Sequence, residues 1–87
     1  MYILYILLCS DDSLYTGITN DLEKRIETHK SGKGSKYVRS RIPFKLIYKE
    51  ELPDKSQALK REIEVKSWSR EEKIRELKLE FSAKIQP

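Results

Sequence analysis

Eighty-seven residues leave room for one domain and one modest core, because a short chain buries a smaller share of its surface than a long one. Hydrophobic residues make up 38% of the chain and charged residues 37%, with only three glycines and three prolines, which fits a folded, well-solvated domain and excludes long disorder. Eighteen Lys and Arg against 14 Asp and Glu give a net charge of +4, yet the stretch from Lys30 to Lys49 holds seven basic side chains and no acid. Such clustering is the footprint of a polyanion-binding face, or else a solvated loop kept soluble by its charge. The single cysteine, Cys9, has no internal disulfide partner and reads as a small buried hydrophobe. The apolar N-terminal run lacks a basic flank and is too short for a signal peptide or a membrane span, so a cytoplasmic location and no membrane partner are expected.

Residues 2–9 form a nearly continuous apolar and aromatic run, the pattern of a short strand buried on both faces. The "SDDS" that follows favours a tight turn, and "SLYTGIT" supplies a second strand, so an antiparallel hairpin is predicted. Gly17 within it marks a bulge or a close backbone approach. The period then changes. Asn20 and Glu23 are spaced as an N-cap and capping box, Leu22 and Ile26 give an apolar helical stripe, and Gly32 and Gly34 end the helix. Residues 35–43 read as a basic loop. "FKLIYKEEL" alternates as a third strand with Phe44, Leu46 and Tyr48 on one side. Asp54 with Gln57 opens a helix over 55–68, with Ala58, Leu59, Ile63 and Val65 near its buried face. Ser69 with Glu72 opens a last helix with Ile74, Leu77 and Phe81 as its stripe. The predicted fold is α+β, a three-stranded antiparallel sheet covered by helices in the order β-β-α-β-α-α, forming a single domain over residues 1–87.

Several chemistry-bearing residues fall into register. Arg25 and His29 are four apart and share a helix face bordering the Leu22 and Ile26 stripe. Glu62 lies four after Ala58 and three before Val65, at the margin of a buried face, where a carboxylate must be paired or hold a metal. Plain alternatives exist: Tyr5 and Tyr15 as core or cross-strand partners, Arg25 and Glu62 as a structural ion pair, and His29 as a surface cation at a helix C-terminus. Chemically, Glu62 can hold one divalent ion, Mg²⁺ or Mn²⁺, with phosphate and water completing the shell. Arg25 offers a permanently charged fork for phosphate oxygens. Tyr5 or Tyr15 can orient or deprotonate water, although the reference pKa near 10 means that a base role needs a neighbouring cation.

Taken together, these residues resemble the GIY-YIG nuclease superfamily, whose members include phage homing endonucleases and the incision subunit of bacterial excision repair. The resemblance is strongest to its small standalone, UPF0213-like branch. Ile3-Leu4-Tyr5 resembles the first motif, Tyr15-Thr16-Gly17 the second, "DLEKRIETH" the helix motif with Arg25 and His29, and "ALKREIEVK" the acidic motif with Glu62. "GKGSKYVRSRIP" is similar to the basic loop of the small branch. Ile3 stands where the first motif name has Gly, Thr16 where the second has Ile, and nothing after Trp68 matches the Asn-bearing segment of larger members.

The resemblance implies a metal-dependent endonuclease acting on DNA, structure-selective or largely non-specific, with repair or recombination as its setting. Tyr5 would stand near the nucleophile, Tyr15 and Arg25 on the phosphate, His29 assisting proton transfer and Glu62 on one divalent metal ion. With no appended DNA-binding domain expected, Lys33, Lys36, Arg39 and Arg41 would contact phosphates without reading bases. Tyr37 between these cations is either a base-stacking residue or a loop anchor. A non-catalytic nucleic-acid-binding module on the same scaffold is the alternative, and a protein-interaction domain a weaker third.

Overall fold

The computed structural model describes residues 1–79. Its elements are β1 (Tyr2–Leu8), β2 (Leu14–Thr19), α1 (Leu22–Lys30), α2 (Lys36–Arg39), β3 (Lys45–Leu52), α3 (Lys55–Lys66) and α4 (Arg70–Glu76). They build an antiparallel sheet in the order β2-β1-β3, so the most apolar strand is central. Leu4, Ile6 and Leu7 of β1 are wholly buried. Side chains alternate along a strand, and each face of β1 feeds its own core. Leu4 and Ile6 pack with Val65 and Leu79, against Trp68, Ile74 and Leu77. Tyr5 and Leu7 pack on the other side with Val38, against Leu22, Ile26 and Phe44. Thus α1 and α2 cover one face of the sheet and α3 and α4 the other. No helix among the described residues is long and apolar enough to cross a membrane.

The predicted order of elements holds, with local differences that have physical causes. The N-cap of α1 is Asp21, not Asn20: its carboxylate accepts the Lys24 backbone N–H at 3.1 Å, while the Thr19 hydroxyl accepts the Asp21 N–H. Gly32, at φ 83°, takes the left-handed position after the helix. The segment read as a basic loop contains α2, because Ser35 caps a turn whose Val38 is wholly buried. In β3, pairing shifts by one residue between Ile6 and Leu7 of β1, so the expected single-sided set divides. Tyr48 joins the α3 face and Phe44 the α1 face, since one inserted residue reverses the alternation.

On α3, Asp54 caps the N-terminus as expected, but only Ala58 and Val65 are buried. Leu59 is 41% and Ile63 70% exposed. The buried line runs through 58, 62 and 65, and residues 59 and 63 sit about 100° further round. The capping box of α4 is complete, with Ser69 and Glu72 bonded reciprocally. Phe81, expected on the stripe of that helix, lies outside the described residues.

Candidate active site

The hairpin register decides which side chains meet. Tyr5 is opposite Gly17 and Leu7 opposite Tyr15, so both phenols project from the α1 face. Their ring centroids are 6.4 Å apart. Glycine at position 17 has a steric purpose: a Cβ there would stand 2.5 Å from the Tyr5 hydroxyl. The phenol therefore lies flat across β2 and reaches α1.

There it meets the two helix residues expected to share its face. His29 Nε2 is 2.9 Å from the Tyr5 Oη, and Arg25 Nε donates to the same oxygen at 3.4 Å. The Arg25 Nη2 continues to the Gly34 carbonyl at 3.5 Å. Tyr15 meets His29 edge-on, with centroids 5.5 Å apart. Both Tyr5 and His29 have no exposed surface. Burial, and then the charge of Arg25, lower the His29 pKa, so the imidazole is neutral at pH 7. It is a wholly buried ring, not the surface cation its position at the end of α1 also allowed.

Burial also raises the Tyr5 pKa, opposed by the hydrogen bond from Arg25 and reinforced by the charges of Tyr15 and Glu62. At rest Tyr5 is a protonated phenol. The guanidinium of Arg25 is held charged by the Tyr5 hydrogen bond against desolvation, with a further contribution from Tyr15. On its open side Arg25 lines a cleft of about 180 Å³ with Lys24, Asp21 and Thr28.

Glu62 arrives from the opposite side of the sheet, on a helix that packs on β1 and β2. Its charge is the least of the causes that raise the Tyr5 pKa. The expected alternative of an Arg25–Glu62 pair does not form. Instead Lys66 Nζ holds Glu62 Oε2 at 3.0 Å, with the carboxylate side chain only 18% exposed. Among the described residues there is no cluster of three or more His, Cys, Asp and Glu able to cage a metal. His29 is unavailable as a ligand, since Tyr5 occupies Nε2 and the backbone of Gly34 crowds Nδ1. A lone carboxylate nonetheless fits Mg²⁺ or Mn²⁺, which take one or two carboxylates and complete the shell with water and substrate phosphate.

The basic segment borders this cluster. Lys33, Lys36 and Arg39 are exposed, and no ion pair engages them among the described residues. Arg41 differs: its Nε donates to Asp11 Oδ2 at 2.8 Å, and its guanidinium lies 3.8 Å over the Tyr37 ring. Tyr37 in turn stacks on Tyr15 at 5.8 Å, which makes it a loop anchor in this arrangement. Sequence reasoning missed Asp11, Lys66 and the role of Gly34. The i,i+4 spacing of Glu62 and Lys66 was visible on the helix, whereas the approach of Gly34 to His29 joins two elements and left no sequence signal.

A family model described as the GIY-YIG catalytic domain matches residues 1–75. A UPF0213 protein of Staphylococcus haemolyticus is 49% identical over 71 residues, covering 82% of this chain and 87% of the relative. One from Bacillus pumilus is 48% identical over 82 residues, covering 91% and 84%. The solution NMR structure of a UPF0213 protein from Bacillus halodurans aligns at 46% identity with a TM-score of 0.59, covering 90% of this chain and 84% of that one. An NMR structure from E. faecalis aligns at 37% identity with a TM-score of 0.65, covering 88% and 82%. With a family model spanning most of the chain, relatives nearly half identical to it and two solved structures of similar fold, the chain belongs to the GIY-YIG family, in the branch of small UPF0213 proteins.

Proposed function

We propose that this chain is a metal-dependent endonuclease that hydrolyses phosphodiester bonds in DNA, with little sequence preference and a bias set by DNA structure. The observation that carries the reading is the buried Tyr5–His29–Arg25 cluster, with Tyr15 packed on it.

The residues divide the work by exposure. Among the described residues His29 Nδ1 is buried without a hydrogen-bond partner. The Tyr5 oxygen accepts from Arg25 Nε and shares a hydrogen bond with His29 Nε2, and these two contacts fix the phenol. Being wholly buried and protonated, Tyr5 positions Arg25 and does not meet the substrate itself. Tyr15, half-exposed on the same face, is the phenol that orients the attacking water. Arg25, held charged, binds a non-bridging phosphate oxygen through the face not used by Tyr5. Glu62 would hold the divalent ion, and that ion would supply Lewis-acid charge where negative charge grows on the phosphate. Water gains a bond to phosphorus and loses a proton to solvent, while the departing sugar oxygen takes one up. Lys33, Lys36 and Arg39 hold flanking phosphates and carry no sequence information.

A labelled panel of single-stranded, duplex, flapped and branched DNA, with matching RNA, incubated with Mn²⁺, tests this. Cleavage of at least one DNA form is expected, reduced about 100-fold or more in Glu62→Gln and in Arg25→Ala. Undiminished cutting by Glu62→Gln would refute the assignment. Lys66 on the Glu62 carboxylate favours a second reading, a non-catalytic DNA-binding module, for which salt-sensitive binding without cleavage of any substrate is the signature.

A further inference from the structure

The proposed metal ligand is already occupied by a cation of the chain itself. Glu62 Oε2 and Lys66 Nζ are 3.0 Å apart, with the carboxylate 18% and the lysine side chain 52% exposed. A largely buried carboxylate requires a counter-charge, and one turn further along α3 a half-exposed lysine provides it. A divalent ion taken up by this carboxylate repels the ammonium and weakens its hold on Oε2. Resting on the reading of Glu62 as the metal ligand, we infer that Lys66 is a resident counter-ion which the arriving metal displaces from Glu62 and which then contacts the substrate phosphate.

Three observations carry the inference. The pair is i,i+4 with the acid N-terminal, the orientation that forms most readily on a helix. The exposed end of Lys66 makes its departure cheap, since open ion pairs are weak. The displaced ammonium stays tethered within a side-chain length of the ion, where a phosphate must lie, and lysine binds phosphate as a mobile point charge. Lys73 of α4 adds positive potential on this side: burial and then the charge of Lys66 lower its pKa. Lys66 thus serves both states of the site, neutralising the carboxylate before the ion arrives and the phosphate afterwards. A bare, mostly buried carboxylate never has to exist.

Two measurements on the whole chain test this. In calorimetric titration with Mn²⁺ and no nucleic acid, Lys66→Met is expected to bind the ion about two- to fivefold more tightly than wild type, because its competitor is gone. Lys66→Arg should stay within about twofold of wild type. In the second measurement, affinity for a flapped DNA is compared with Ca²⁺ and with EDTA. Lys66→Met should weaken binding several-fold with Ca²⁺ and leave it nearly unchanged with EDTA, whereas an ordinary surface lysine would lose equally in both. Unchanged Mn²⁺ affinity in Lys66→Met, or equal losses of DNA affinity in the two buffers, overturns the inference while the metal assignment stands. If Glu62→Gln binds Mn²⁺ like wild type, the metal assignment falls and this inference with it.

Discussion

At the scale of single residues, two glycines shape the site by what they lack. A methyl group at position 17 would overlap the Tyr5 hydroxyl, and Tyr5 is wholly buried with no room to retreat. Gly17→Ala is therefore expected to destabilise the fold by about 1–3 kcal/mol, the usual cost of overpacking, and to lower cleavage further by moving the oxygen that positions Arg25. A chemical melt beside a rate measurement checks both, and a variant with normal stability and normal rate would contradict the geometry. His29, the only histidine in the chain, gives a clean titration. Its folded pKa lies below the ordinary 6.5, so the unfolded chain binds the proton first as pH falls. Stability from this group is full above about pH 6.5 and is lost as pH drops through the folded pKa. The imidazole NMR signal should titrate below 6.5, and a midpoint at or above that value would show that the ring is neither buried nor beside Arg25. Tyr5 acts in the opposite range: its raised pKa means stability is lost as pH climbs above about 10.

At the scale of elements, the placing of α3 matters most, because it alone carries Glu62. Its apolar contribution is thin, limited to Ala58 and Val65 among fully buried residues. Charge compensates. Arg61 forks onto Glu50 of β3 at 2.9 and 3.2 Å and also reaches Glu64 at 2.9 Å, and Tyr48 donates to the same Glu50 carboxylate. Because these side chains are about three-quarters covered, removing the guanidinium leaves a half-buried carboxylate with one donor fewer. Arg61→Ala is expected to cost about 1–3 kcal/mol, or a fall of several degrees in the melting temperature for a domain of this size. An unchanged melting temperature would mean that the fork contributes nothing net. The short helix α2 works similarly on the opposite face, where buried Val38 anchors it and Tyr37 leans on Tyr15.

At the scale of the molecule, the sheet is a partition with candidate site residues on both sides. Tyr5, Tyr15, Arg25 and His29 gather on the α1 face, while Glu62 stands on α3, on the other side, paired with Lys66. The cationic segment lies next to the first group, but its charge is not all available. Arg41 is committed to Asp11 and Tyr37, leaving Lys33, Lys36 and Arg39 for phosphates. Three contacts imply that the logarithm of DNA affinity falls with the logarithm of salt at a slope of about −3. Asp11→Asn frees Arg41 and should steepen the slope by about one unit. A titration series from low to moderate salt gives both slopes, and identical slopes would show that the Asp11–Arg41 pair does not hold in solution.

Whatever depends on local spacing was decided by the sequence itself. The β1 run of apolar residues, the Asp54 and Ser69 caps, and the four-residue interval from Arg25 to His29 each follow from periods and propensities within about a dozen residues, and so does the order of the elements. The family resemblance rested on these same local motifs. What only tertiary structure decided are relations between segments distant in the chain. The inserted residue in β3 sends Tyr48 and Phe44 to opposite faces, Gly34 closes over His29, Arg41 turns to Asp11 thirty positions away, and Tyr5 is fully buried against His29 and Arg25. Steric exclusion and desolvation act through space, and a linear pattern carries the period of each element but not the packing of one element on another.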